Sequence, residues 1–343
     1  MTDLFQRLWG HFFGPKVSLV LAYLTDAVAI LVFILLTVMF LIWLERKVAA
    51  RFQNRLGPMR VGRPHGWLQS VADVLKLLLK EDVIPTKADR WVFTLAPIVV
   101  VVPAILIWVC IPFSRNLVAK DLNIGIFYII SLASLGVLGI IMGGWAANNK
   151  YTLIGGLRSA AQMISYEIPL VLSVVAVVVL AGTMDMNGLV ARQAPYRWFV
   201  FWVPVGPLAF LIYLTAAVAE TNRVPFDLPE AESELVSGFH TEYSGMKFGF
   251  FFLAEFTNMF AVSAIATTLF LGGWLGPGNL GPLWFLIKTY AIVFFIMWLR
   301  WTLPRVRGDQ LMKLAWKVLL PSSLVVLFLA SVMVAVGFGG ARG

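Results

Sequence analysis

One cysteine and three histidines are all that 343 residues offer in thiolate and imidazole ligands. A lone Cys110 forms no internal disulfide and holds no iron–sulfur cluster, which takes several thiolates. His11, His65 and His240 stand too far apart in sequence for metal-ligand spacing. There is no GxGxxG after a strand, no GKS or GKT phosphate loop, no CxxC and no HExxH. The chain therefore announces no redox cofactor or metal of its own, and Cys110, inside an apolar run, reads as a packed core residue. Charge is scarce too, at 13% against about a quarter in a soluble domain.

Apolar residues take that place, at 60% of the chain. Runs of roughly 20 recur, each long enough to cross about 30 Å of hydrocarbon. Eight are read, at about 25–45, 91–112, 122–146, 160–182, 198–219, 248–272, 282–303 and 315–338. They leave no room for a soluble domain. The expectation is one all-α integral membrane domain over residues 1–343. Between the first two spans, "WLQSVADVLKLLLKED" sets apolar residues at helical spacing over about 66–80 but is too short to cross, so it reads as an interfacial amphipathic helix. The N-terminal "LFQRLWGHFFGPKVSLVLAYL" reads as a segment along the membrane surface, not a cleaved signal, with Trp9, Phe12, Phe13 and Tyr23 at headgroup level. Prolines within spans (Pro97, Pro103, Pro169, Pro204, Pro207) predict kinks. Gly136, Gly139, Gly143 and Gly144 predict close helix contact.

The net charge of +9 would suggest nucleic acid in a soluble protein. Here its placement gives a better account. Of the 27 lysines and arginines, 19 fall on the side of the odd loops and 7 on the other, with Lys288 inside a span. The positive-inside bias puts the odd loops in the cytoplasm and both termini outside.

Against this background one stretch is out of place. "ETNRVPFDLPEAESELVSGFHTEYSGMKFG", at the head of the loop 220–247, carries Glu220, Asp227, Glu230, Glu232, Glu234 and Glu242, six of eighteen carboxylates. Pro229 can open a short helix there, making Glu230 and Glu234 i, i+4 neighbours. Two carboxylates about 6 Å apart at an effective dielectric near 20 repel by roughly 3 kcal/mol, about two pKa units, so such a set shares protons and titrates jointly. Apolar Phe226, Leu228, Leu235, Val236 and Phe239 run between the charges, unlike a solvated acidic loop. Glu167 and Glu255 each lie about seven residues inside a span, and Glu220 ends one. Ionisable groups at membrane depth are costly and mark pathways. All three fall in the same half as the acidic loop, which favours a connected polar route.

The blocks "ERKVAARFQNRLGP", "LKEDVIP", "ADRWVFTLAP", "DLNIGI", "GGWAANNKYTLIGGLRSAAQMISYE", the acidic stretch above and "LPRVRGDQLM" fall in order over most of the chain. With them the sequence closely resembles the H subunit of respiratory complex I, the family of mitochondrial NADH dehydrogenase subunit 1. The resemblance implies eight transmembrane helices with an amphipathic helix between the first two, a place between the hydrophilic and proton-pumping arms, and a wall of the quinone chamber. Carried over by motif, Arg46, Lys47, Arg51, Phe52 and Gln53, with Arg223 and Arg300, fall at the chamber. Glu167, Glu220, Asp227, Glu230, Glu232, Glu234 and Glu255 fall on the acidic route to the membrane arm. The resemblance further implies quinone as substrate, other complex I subunits as partners carrying NADH, FMN and iron–sulfur chemistry, no cofactor on this chain, no nucleic acid, and the bacterial cytoplasmic membrane. In one departure, Ser134 stands where some relatives carry a glutamate.

Energy-converting hydrogenases share weaker versions of these blocks, and close relatives serve complexes driven by ferredoxin or a deazaflavin, so the electron donor stays open. A stand-alone ion transporter would favour broken helices with charges near the midplane in both halves, whereas these acids gather at one surface. A passive anchor needs no buried glutamates.

Overall fold

The computed structural model describes residues 1–2, 5–6, 9, 14–195, 197–229, 236–278 and 280–337. Among them every regular element is helical. In chain order these are α1 (Pro15–Phe52), α2 (Gln69–Leu79), α3 (Arg90–Leu106), α4 (Gly125–Ala146), α5 (Lys150–Ala181), α6 (Met186–Arg192), α7 (Val205–Glu220), α8 (Gly245–Phe270), α9 (Gly281–Thr302), α10 (Gly308–Lys313) and α11 (Leu320–Ala335). Among the described residues, seven helices are long and apolar enough to cross a membrane: α1, α3 with its last turn, α4, α5, α8, α9, and α10 continued into α11. The fifth expected span, about 198–219, holds only the 16-residue α7. Its first residues form a 3₁₀ turn, Phe199–Phe201. The turn folds back so tightly that a Cβ on Gly206 would lie 1.8 Å from the Phe199 carbonyl oxygen, so only glycine fits.

Other boundaries moved for physical reasons. α1 runs 38 residues, so Glu45, Arg46, Lys47, Arg51 and Phe52, expected in a loop, are helical. No proline or glycine interrupts Pro15–Phe52 after its first residue, and a fall in hydropathy alone does not end a helix. Lys16 to Tyr23, expected along the membrane surface, also belong to α1; Phe12 and Phe13 lie outside the described residues. Pro321 cannot donate to the carbonyl of Lys317, and the residues before it, Leu314–Leu319, widen into a π turn linking α10 to α11, a usual response to a lost rung.

Packing follows the small residues. A Cβ on Gly144 would meet the Thr152 carbonyl at 2.8 Å and Gly156 Cα at 3.2 Å, and one on Gly139 would meet Val100. These glycines let α4 lie against α5 and α3, the close approach by which membrane helices associate; Gly136 faces open space. The largest buried core joins α1, α3, α5, α7, α8 and α9, where Trp108 stacks on Phe260 at 4.8 Å. Lys288, midway along α9, donates to the carbonyls of Leu271, Gly273 and Leu275 at 2.6–3.0 Å. It caps the end of α8, where a cation suits the helix dipole. The short α2 docks on α1 through Ser70, whose hydroxyl donates to the Met39 carbonyl; Leu75, Leu78 and Leu79 stay exposed.

Candidate functional site

Where α1 nears its end, Glu45 turns inward and meets arginines from two other parts of the chain. Arg223, just past α7, donates from one guanidinium nitrogen to both Glu45 oxygens at 3.0 Å. Its second terminal nitrogen lies 2.9 Å from Glu255 of α8, and its plane sits 4.5 Å from the Phe256 ring. Arg300 of α9 closes the group on Glu45. The Arg223 side chain is 2% exposed and that of Glu45 10%. Two carboxylates and two guanidiniums balance only when all are ionised; a buried charge survives by such pairing. The approach from α7 is rigid. Gln162 of α5 donates to the carbonyls of Ala219 and Phe226 at 2.7 and 2.6 Å, pinning the turn that carries Arg223. Asp227 follows, paired with Arg305 at 3.1 Å.

Beyond this group the interior opens. A cavity of about 270 Å³ is lined by Glu255, Glu220, Asn222, Asn258, Ser237 and His240, among others. A second, of about 60 Å³, shares Glu220, Thr221 and Asn258 with it and reaches Glu167. The larger has room for several waters at about 30 Å³ each. Among the described residues no hydrogen bond or ion pair engages the Glu220 carboxyl, so it faces these cavities. At the far end, Glu167 accepts from the Ser134 hydroxyl. The serine that replaces an expected acid thus holds the last one. From the end of α1 to α4, Arg223 joins Glu45 to Glu255, the larger cavity touches Glu255 and Glu220, and the smaller, mostly apolar one touches Glu220 and Glu167.

The remaining residues expected at the chamber gather elsewhere. Around the end of α1, an open groove of about 440 Å³ is lined by Lys47, Arg51, Arg55, Trp43, Met59 and His65, with others. Lys47 donates to the Pro58 carbonyl at 2.6 Å, and Trp43 stacks on Trp67 with centroids 4.4 Å apart. Arg46 pairs with Asp73 of α2 at 2.5 Å. Gln53 accepts from Arg55, and Phe52 is exposed. Glu230, Glu232 and Glu234 lie outside the described residues. Glu242, at the end of that loop, accepts from Asn149 at 2.6 Å. Among the described residues no cluster of three His, Cys, Asp or Glu could hold a metal ion.

Sequence reasoning missed Glu45, Asn258 and His240. Glu45 carried a signal, an acid closing an apolar run in "IWLERK", but its partner lies 178 residues away. His240 sits between the Phe239 and Phe248 rings, 4.9 and 5.3 Å off, and burial lowers its pKa to about 4. Near pH 7 the ring is neutral in folded and unfolded chains. As pH falls from about 6.5 towards 4, the unfolded chain takes a proton that the folded one refuses, so stability is lost across that window. The heat-dissociation temperature of the solubilised protein should fall between pH 7 and 5, and fall less in His240→Gln. An identical pH dependence in the variant would show that His240 contributes nothing.

Fold and site define a class: a multi-span helical membrane protein built around a buried ion cluster and an acid-lined interior. The family model described as NADH dehydrogenase matches residues 25–331. The chain is 53% identical over 300 residues to the H subunit of NADH-quinone oxidoreductase from Dehalococcoides mccartyi (strain CBDB1), covering 87% of this chain and 83% of that protein. It is 55% identical over 295 residues to the same subunit of Geobacillus kaustophilus (strain HTA426), covering 85% and 87%. Over 329 residues it is 49% identical to that of Bacillus cytotoxicus, covering 95% of each. The chain belongs to this family of oxidoreductase subunits.

Proposed function

We propose that this chain walls the quinone chamber of a proton-translocating NADH:quinone oxidoreductase and passes the charge change of quinone reduction to the membrane arm along Glu255, Glu220 and Glu167. In this reading it crosses a bacterial cytoplasmic membrane eight times, α7 included, with α2 in the interface and both termini outside. NADH, FMN and iron–sulfur clusters belong to partner subunits. The observation that carries the reading is Arg223, shared between Glu45 and Glu255 beside a cavity that also holds Glu220.

The chemistry is electrostatic. Reducing a quinone takes two electrons and two protons, and negative charge arises whenever electrons lead. A unit charge about 10 Å away at an effective dielectric near 20 is worth roughly 1.7 kcal/mol, more than one pKa unit. Negative charge near the end of α1 draws Arg300 and Arg223 towards it. Glu255 then loses part of its counter-charge, binds a proton, and hands it on through cavity water to Glu220 and Glu167. Asp227 and the acids at 230, 232 and 234 form the proton-sharing reservoir on the loop side.

Arg46 belongs to the entrance. Its planar guanidinium makes paired hydrogen bonds that other side chains do not copy, and its exposed pairing with Asp73 is weak enough to exchange for a quinone headgroup. Arg46→Ala should raise the KM for a short-chain quinone about threefold to tenfold, with kcat changed less. Unchanged KM in assembled enzyme would make Arg46 a tether for α2 only. The broader test is a native gel of solubilised membranes: NADH:quinone reductase activity should migrate with this chain, and hydrogenase activity in its place would overturn the assignment.

A further inference from the structure

The larger cavity beside the ion cluster is supplied with more hydrogen-bonding groups than the protein uses. Glu220, Asn222, Ser237, His240 and Asn258 all line it. Among the described residues, the side chains of Glu220, Ser237, His240 and Asn258 make no hydrogen bond or ion pair. Asn222 donates to the Ser159 hydroxyl at 3.2 Å, but its carbonyl oxygen is buried and unpaired, as is Nδ1 of His240. Interior polar groups find partners in folded proteins. Five that line one space therefore point to something held there.

The chemistry of the wall selects the occupant. Glu255 is already matched by Arg223 at 2.9 Å, and no lysine or arginine is among the described lining residues. Glu220 is left without a counter-charge, and a carboxyl so placed holds either a proton or a cation. The other unused groups are mostly acceptors: two amide oxygens, a hydroxyl and one nitrogen of a neutral imidazole. The rings of Phe239, Phe248, Phe251 and Phe252 complete much of the lining, and phenyl faces attract a desolvated cation. A volume of about 270 Å³ is that of about nine waters, enough for one small aryl cation. Val236, 59% exposed, also lines the cavity and marks a mouth on the loop side.

We propose that this cavity binds a small organic cation with a planar N–H fork, an amidinium or guanidinium. Its charge lies on Glu220, its remaining N–H groups on Asn222, Ser237 and Asn258, and its apolar part against the phenylalanines. A planar fork spreads its donors, which suits acceptors that come from α7, the turn after it, the loop and α8. A metal ion is the poorer match, because among the described residues no three acidic, cysteine or imidazole ligands cluster. Bound there, the cation takes the place of the proton on Glu220 and interrupts transfer from Glu255 to Glu167. That consequence rests on the proposed acid route; the binding does not.

Benzamidine is the probe, and benzamide, the same shape without the charge, is its control. Binding is measured by calorimetry on the whole complex purified in detergent, and quinone reductase activity and proton pumping in proteoliposomes. Benzamidine should bind and benzamide should not. Glu220→Gln should weaken benzamidine binding about tenfold or more, since it removes a hydrogen bond between charged groups. Ser237→Ala, at the partly exposed mouth, should weaken it about threefold without a folding defect. Benzamidine should inhibit pumping without raising the KM for a short-chain quinone. Equal affinity in wild type and both variants would overturn the proposal. So would equal binding of benzamide, which would mark a merely apolar pocket, and so would inhibition competitive with quinone, which would place the cation at the α1 groove. Binding that is lost in Glu220→Gln but leaves turnover and pumping untouched would uphold the site and overturn the acid route instead.

Discussion

Arg223→Met is expected to strip most of the assembled complex from the membrane. The substitution leaves Glu255 without its ion-pair partner and Glu45 with Arg300 alone. Removing one member of a buried ion pair costs about 3–5 kcal/mol, at least a hundredfold in the folded ratio. Replacing partners together is far cheaper, because no charge is left stranded. Arg223→Met combined with Glu255→Gln should therefore recover assembly on native gels while quinone reductase activity stays low. Recovery of both would make the pair a structural strut with no part in coupling. Normal assembly in the single variant would mean the cluster is already wet and exchangeable.

The next largest effect is expected at Glu220. Glutamine keeps the size and polarity of glutamate but cannot take up or release a proton. General acid–base groups contribute about 10²–10⁴ in rate; a relay with neighbouring water loses somewhat less. Glu220→Gln should lower quinone reductase activity and proton pumping about tenfold to a hundredfold, with the amount of assembled complex unchanged. No hydrogen bond or ion pair to Glu220 is broken among the described residues, so stability should hold. Glu220→Asp keeps the proton but moves it by one methylene and should retain part of the rate. Full coupled activity in Glu220→Gln would remove this residue from the route.

Some of this was readable from sequence because membrane depth makes an acid conspicuous. Glu167, Glu220 and Glu255 stood out against apolar runs, and the cavities join them. Glu45 did not stand out, since it ends its run and resembles the first residue of a basic loop. Its importance comes from Arg223 and Arg300, and a contact across 178 or 255 residues leaves no local pattern. Arg46 and Lys47 were grouped with Arg223 and Arg300 by motif, but helical continuation of α1 turns them to another face. Glu45 then points into the bundle while Arg46 meets α2. The length of the fifth apolar run misled for a different reason. Hydropathy reports what is buried in lipid, and Phe199–Phe201 and Trp202 are apolar without being part of α7. Ser134 shows the reverse limit: the resemblance marks it as a departure, but its hydrogen bond to Glu167 was not legible.

The central claim is that Glu255, Glu220 and Glu167 act in series. The most direct measurement is proton pumping in Glu255→Gln, Glu167→Gln and the double variant, each normalised to assembled complex. Residues on one route fail together, so the double variant should lose no more than the worse single variant, a large coupling energy. Losses that multiply, with assembly intact, would mean that the two glutamates work independently and would contradict a single route.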